Sequence, residues 1–249
     1  KVSVLLVDEK AVRKRHGYVT LVMNGENGEL LFMHEGRKKE SLKAFFDLMN
    51  EDRKRHVKAV AMDRLGSYYE VVREELPRAD IVFDKFHLIA NFNGVVDEVR
   101  RAEWHKASKE DKAFIKGQRY NLYRPWDTHP TDEQKYSLAV LLGLNENLRK
   151  VYVLKEALAI VWTYRHRGYA RRYLEKWLDW AMESGLEPVK RFARTLRKHI
   201  PEVLNYCRHQ ITTGPLEGFN NTVSRLIHRA NGFKNMDYLY LKLRQESLA

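Results

Sequence analysis

The chain has 249 residues, enough for one large or two small hydrophobic cores, and carries a formal net charge of +12 with an isoelectric point near 9.6. A basic excess of that size points to a polyanionic partner, most simply nucleic acid; a basic enzyme without such a partner is the alternative that composition leaves open. A single cysteine, Cys207, excludes an internal disulfide framework and a cysteine-based zinc site within the chain, and fits a reducing compartment. No apolar run approaches the ~20 residues of a membrane span, and no segment reads as a signal peptide, so neither a membrane nor a secretory route is expected.

In chain order, Val2 to Val7 reads as a short buried strand that runs straight into Asp8 and Glu9. An unpaired carboxylate inside a core costs several kcal/mol, so Asp8 is expected at the strand's end, compensated either by a divalent cation or by a turn that it caps. Lys10 to His16 reads as a basic loop. Gly17 to Met23 and Glu29 to His34 read as strands around an Asn- and Gly-rich hairpin loop, which makes the first part of the chain a three-stranded antiparallel meander. Lys39 to Asp52 has its apolar residues at helical spacing. Val57 to Met62 is a further strand, again followed by an acid, Asp63. Gly66 to Leu76 is a helix stopped by Pro77, and Asp80 to Phe83 is a fifth strand ending at Asp84. Antiparallel strands first and helix-linked parallel strands afterwards imply an α/β mixed five-stranded sheet, an order that resembles the ribonuclease-H-like fold. Active sites of such open sheets lie at the carboxyl ends of strands.

From Phe86 to about Arg208 the pattern becomes helical throughout. Helices are expected over 87–104, 109–118, 132–142, 146–167, 169–184 and 187–199, broken at Pro and Gly. The Trp residues at 104, 126, 162, 177 and 180 read as core. Domain organisation is thus expected as 1–86 with 209–249, interrupted by an all-helical insertion over 87–208. In the last segment, Thr213 and Pro215 mark a helix start, with Phe219, Val223, Leu226 and Ile227 as its apolar stripe and Glu217 in its first turn. A closing helix is expected over 238–248.

Three acids therefore stand in informative contexts: Asp8, Asp63 and Glu217. Two-metal chemistry needs carboxylates that hold two cations ~3.5–4 Å apart. Four blocks carry a more specific likeness: Val7-Asp8-Glu9 with Arg13 to Thr20; Ala61-Met62-Asp63-Arg64 with Tyr68; Pro77 to Leu88, including Asp84-Lys85-Phe86-His87; and Gly214-Pro215-Leu216-Glu217-Gly218-Phe219-Asn220-Asn221 with Arg229 to Phe233. On these blocks, which span nearly the whole sequence, the chain resembles the catalytic domain of bacterial insertion-sequence transposases of the ISL-three family, in the wider DDE group. Lys85 stands where that family's Asp-x-Phe-His block usually has Arg. Its members also carry amino-terminal zinc-binding and helix-turn-helix regions, which these residues do not contain; the sequence, starting at Lys on a strand, is read as part of a longer protein.

The resemblance implies a ribonuclease-H-like, retroviral-integrase-like sheet with a large helical insertion. It implies Asp8, Asp63 and Glu217 as the catalytic and metal-binding triad, two Mg²⁺ or Mn²⁺ ions, and cleavage of transposon ends followed by strand transfer into target DNA. It further implies a bacterial cytoplasmic, nucleoid-associated protein, with a homodimer in the DNA complex as one arrangement and no membrane partner. Asp84, His87 and Asn220 are candidates to support the site from behind, Asn220 by orienting Glu217 or touching a phosphate; the alternatives are helix capping for Asp84, packing for His87 and a plain exposed helix face for Asn220. Lys10, Arg13, Lys14 and Arg15, and a second cluster of Arg165, Arg171 and Arg172 interleaved with Tyr164, Tyr169 and Tyr173, are candidate DNA contacts; solvated faces are the alternative. Two further functional readings remain at this point: a nuclease of the same fold without strand transfer, and a non-catalytic DNA-binding protein derived from a transposase.

Overall fold

The computed structural model describes residues 2–13, 17–63 and 68–248, which fall into two compact units: Lys1–Asp84 with His209–Ala249, and Lys85–Arg208. In chain order the first unit opens with β1 (Val4–Arg13), β2 (Gly17–Asn24), β3 (Leu30–Glu35), α1 (Lys39–Asp47), α2 (Glu51–His56), β4 (Ala59–Met62), α3 (Tyr68–Glu75) and β5 (Asp80–Phe83). The second unit contains α4 (Lys85–Lys106), α5 (Lys109–Gly117), α6 (Arg119–Tyr123), α7 (Asp132–Leu144), α8 (Glu146–Ala159), α9 (Arg167–Glu183), α10 (Glu187–Arg197) and α11 (Ile200–Leu204). The short α12 (Tyr206–His209) leads back to α13 (Gly214–Arg229) and α14 (Met236–Ser247), which complete the first unit.

The sheet order is β3-β2-β1-β4-β5. β1/β2 and β2/β3 pair antiparallel, while β1/β4 and β4/β5 pair parallel, so the mixed sheet expected from the sequence is present. Gly28 makes the β2–β3 turn possible, since its φ of +76° lies in the left-handed region that side chains avoid. Every residue of β4 is buried, as in a strand covered on both faces.

Side-chain alternation divides the sheet. Leu6 of β1, Val19, Leu21 and Met23 of β2, and Ala61 of β4 form one core face, on which α13 packs Leu216, Phe219 and Val223, and α14 packs Leu239 and Leu243. Phe32 points to the other face and meets Phe45 of α1, with ring centroids 5.5 Å apart.

Several expectations are corrected. Asp8 does not end a strand: β1 continues to Arg13, and Asp8 lies in its middle, opposite Leu21 of β2. The β1–β4 ladder stops at Leu6↔Ala61, so β1 runs on as an arm paired to β2. Lys10 to Arg13 thus belong to a strand and not to a loop; 14–16 lie outside the described residues. The helix expected over 39–52 is two helices, because Leu48 closes α1 and the Asn50 side chain caps α2 by accepting from the Arg53 N–H at 2.9 Å. The helix expected over 146–167 ends at Ala159 and passes into a tighter 3₁₀ turn, Ile160–Thr163, where β-branched residues crowd. Trp177 is buried at 2% exposure, but Trp126 and Trp180 are 39% and 45% exposed and are not core.

In the second unit, α9 buries Ala170, Leu174, Trp177, Leu178 and Ala181. The Trp177 indole donates to the Leu154 carbonyl at 2.9 Å, and Phe92 of α4 and Phe192 of α10 stack edge-on at 4.9 Å. Lys155 is buried yet charge-compensated: its ammonium donates to the Leu122 and Arg124 carbonyls, both at 2.8 Å, and pairs with Glu156 at 3.0 Å. Burial pulls its pKa below the ordinary lysine value, against the opposing pull of Glu156.

The core contact that seats α13 on β1 yields a prediction. Leu216 is fully buried in that cluster. Leu216→Ala removes apolar contact and leaves a cavity, so unfolding in denaturant should show a loss of about 2–5 kcal/mol; a loss below ~1 kcal/mol would mean that the helix is held to the sheet by other means.

Candidate active site

Asp8 shares a sheet face with Leu6, the face that α13 covers. Its carboxylate is held from two sides: Oδ1 accepts the Glu9 backbone N–H at 2.8 Å, and Oδ2 accepts the Asn220 side-chain Nδ2 at 2.8 Å. Asn220 is one turn beyond Glu217 on α13 and 8% exposed. Its amide must turn the nitrogen to Asp8, because a carboxylate only accepts. Its Oδ1 is buried without a hydrogen-bond partner, a state that costs about 1–3 kcal/mol in the absence of a donor. The sequence suggested that Asn220 backs Glu217; the structure joins it to Asp8 instead.

α13 begins where the sequence suggested, with Thr213 as its N-cap and Pro215 in the first turn. The Thr213 N–H donates to Asp84 Oδ2 at 2.6 Å, so the acid following β5 sits at the positive end of the helix. Glu217 lies in that same first turn, with its N–H bonded to the Thr213 carbonyl at 2.8 Å. Carboxylate oxygens of Asp84 and Glu217 come within 4.8 Å of each other, a spacing that one cation can bridge. Asp63 directly follows β4, two residues beyond Ala61, the partner of Leu6.

The electrostatics tie the acids together. Burial lifts the Glu9 pKa above the ordinary carboxylate value; Arg37, 3.8 Å away, opposes the rise, and the charges of Asp8 and Asp63 add to it. Arg37 lies over the Tyr18 ring at 4.1 Å, which steadies it beside Glu9. Across from Glu9, Thr20 meets the Tyr68 hydroxyl at 2.7 Å and donates to the Gly36 carbonyl at 2.9 Å. Burial pushes Tyr68 up to about 12, with the Thr20 hydrogen bond opposing and the negative charges of Glu9 and Asp8 adding. Arg37 was not singled out in the sequence, and Thr20 stood only at the end of a block; the register opposite Glu9 reveals Thr20, and the ion pair with Glu9 reveals Arg37.

The other candidates are distributed as follows. His87 lies on the first turn of α4, three residues after Asp84. Lys10 pairs with Val19 across β1–β2, Arg13 is the last residue of β1, and Lys14 and Arg15 lie outside the described residues. Within the second unit, Arg165 is an exposed residue just before α9, and Arg171 and Arg172 are exposed on it. Arg171 is engaged by Glu175 at 3.9 Å. Tyr173 turns inward, donating to the Ala157 carbonyl at 2.9 Å, whereas Tyr169 is 60% exposed.

Against this geometry stand the relatives. The profile of a family described as transposase, of the ISL3 group of DDE enzymes, matches residues 5–243. A transposase for insertion sequence element IS1001 from Bordetella parapertussis is 33% identical over 247 residues, which covers 98% of this chain and 61% of that protein. A transposase for insertion sequence element IS1557 from Mycobacterium tuberculosis is 25% identical over 253 residues, covering 92% of this chain and 56% of that protein. The chain thus spans roughly three-fifths of the length of these relatives.

The raised pKa of Glu9 has a measurable consequence. A carboxyl whose folded pKa exceeds its unfolded value destabilises the fold where it is ionised, and the penalty vanishes as pH falls below the unfolded value. In metal-free buffer, Glu9→Gln should melt above the wild type at pH 7, and the two should converge toward pH 4. A difference independent of pH would exclude the electrostatic origin.

Proposed function

The chain belongs to the ISL3 family of DDE transposases, and from that premise we propose that it is the metal-dependent catalytic part of a DNA transposase, with Asp8, Asp63 and Glu217 as its catalytic acids. The observation that carries this reading is the 2.8 Å hydrogen bond from Asn220 to Asp8, which ties the β1 acid to the helix that bears Glu217. The sheet order β3-β2-β1-β4-β5 supports a ribonuclease-H-like fold for the first unit, with the second, all-helical unit as its insertion.

The residues fit a hard divalent cation, Mg²⁺ or Mn²⁺, and the two-ion chemistry of the resemblance is part of the proposal. Carboxylate oxygens dominate the site, Asp84 and Glu217 already stand at bridging distance, and the shared repulsion among Asp8, Glu9 and Asp63 is relieved by positive charge. Bound there, such ions supply Lewis acidity at the attacked phosphate and favour ionisation of the attacking oxygen. Asp8, Asp63 and Glu217 are the holders; Asp84 and His87 support them, and Asn220 orients Asp8.

The chemistry is phosphoryl transfer in two displacements. First, the oxygen of water bonds to phosphorus at a transposon end while the P–O3′ bond breaks, leaving a 3′-hydroxyl and a 5′-phosphate. Then that 3′-oxygen bonds to a phosphorus of target DNA, and the target's own 3′-oxygen leaves with the proton. The +12 charge suits a DNA partner. Lys10 and Arg13 on β1, Lys14 and Arg15 next in sequence, and Arg165, Arg171 and Arg172 in the second unit, are the proposed backbone contacts.

Asp8→Asn, Asp63→Asn and Glu217→Gln should each lower cleavage of a transposon-end duplex in Mg²⁺ by at least about 10³-fold, with far-ultraviolet circular dichroism unchanged, because each removes a metal-holding charge and little packing. Glu9→Gln should retain cleavage. Wild-type rates for Asp8→Asn would end the proposal; a dead Glu9→Gln with an active Asp8→Asn would move the site to the neighbouring acid. Cleaved ends without joined products would make the chain a nuclease instead.

A further inference from the structure

The expectation that all five Trp residues are core fails at Trp180, and the failure exposes an organised surface in the second unit. On α9, Tyr169, Arg172, Lys176 and Trp180 follow at intervals of three or four residues, so they share one face of the helix. All four are exposed, the two rings at 60% and 45%. The buried side of the helix carries Leu174, Trp177 and Leu178 in the core, so this stripe is presented on a rigid support.

The charges around the stripe are sorted. The acids beside it are already engaged, Glu175 by Arg171 at 3.9 Å and Asp179 by Arg197 at 2.8 Å. Arg172 and Lys176 have no acidic partner among the described residues. The face therefore offers two free cations about 6 Å apart along the helix, bracketed by two aromatic rings about 16 Å apart. That span matches roughly five nucleotides at the ~3.4 Å rise of a stacked strand.

We propose that this face of α9 binds a stretch of DNA whose bases are unpaired, with Tyr169 and Trp180 stacking on bases and Arg172 and Lys176 contacting the phosphates between. The cations select a polyanion. The rings select against intact duplex, in which base faces are covered by their neighbours; an aromatic side chain finds a partner of its own shape only on an exposed base. This surface rests on the reading of the chain as a DNA-acting protein, is separate from the acids on the first unit, and adds Lys176 and the two rings to the proposed Arg172 contact.

The test uses the whole chain with a fluorescein-labelled oligothymidylate and a mixed-sequence duplex of equal length, in metal-free buffer so that no cleavage intervenes. Trp180→Ala and Tyr169→Ala should each weaken oligothymidylate binding about 5- to 100-fold and leave duplex binding within twofold, and Trp180→Phe should restore most of the loss. Arg172→Ala and Lys176→Ala should each lower the slope of log affinity against log salt for the single strand by about 0.7. Equal losses on both DNAs, or none on the single strand, would overturn stacking on unpaired bases. Unchanged salt slopes would remove the cations from the path. Because no divalent ion is present, neither result bears on the catalytic acids.

Discussion

Everything proposed for the first unit depends on how α13 lies across β1. Leu216, Phe219 and Val223 sit in the apolar face formed by Leu6, Leu21 and Ala61, and burial of such side chains is worth about 1.5–3 kcal/mol each. That packing is non-directional; it presses the helix to the sheet without fixing its rotation. Direction comes from two polar contacts, Asn220 to Asp8 and Thr213 to Asp84. Together they hold the first turn of the helix between the central strand and the edge strand. Glu217 lies between these two points on the helix, so its position follows from theirs.

The acid-rich arm of β1 illustrates how such a site is tolerated before any cation binds. Asp8 accepts a backbone N–H and a side-chain amide. Glu9, one residue on and on the opposite face of the strand, has Arg37 instead, itself seated on Tyr18. Neighbouring carboxylates are thus turned to different faces and met by different donors, which limits their mutual repulsion. What is left of that repulsion appears in the raised pKa of Glu9.

Much of the sheet was legible because its strands are short apolar runs bounded by turn chemistry. β5, Asp80–Phe83, falls where the sequence put it, since Pro77 ends the preceding helix and an acid closes the run. β1 was legible only up to Val7. Beyond it the core stops but the hydrogen-bonded ladder to β2 does not, and a polar strand arm has the composition of a loop. The helix ends were blurred where no Pro or Gly marks them, as at Ala159, whose terminator is the crowding of Ile160, Val161 and Thr163. Trp177 and Trp180 show a different limit: three residues apart on one helix, they differ by most of a right angle about its axis, enough to separate core from solvent. The partnership of Asn220 with Asp8, 212 positions apart, has no local signal at all.

The return of the chain to the sheet is fixed at two points beside β5. His209 Nε2 meets Asp80 Oδ2 at 2.7 Å, and the Thr213 N–H meets Asp84 at 2.6 Å; both pairs are separated by 129 positions. The returning segment therefore runs beside β5 in the same direction, clasping the strand at its first residue and just past its last. β5 is an edge strand, whose outer backbone groups would invite another chain if left open. Two contacts between residues 129 positions apart thus close a long stretch of chain onto one four-residue strand, and for a flexible chain each doubling of such a loop adds only about 0.6 kcal/mol of closure entropy. The stretch between Asp84 and His209 can therefore be long at little entropic cost to the sheet that carries the acids.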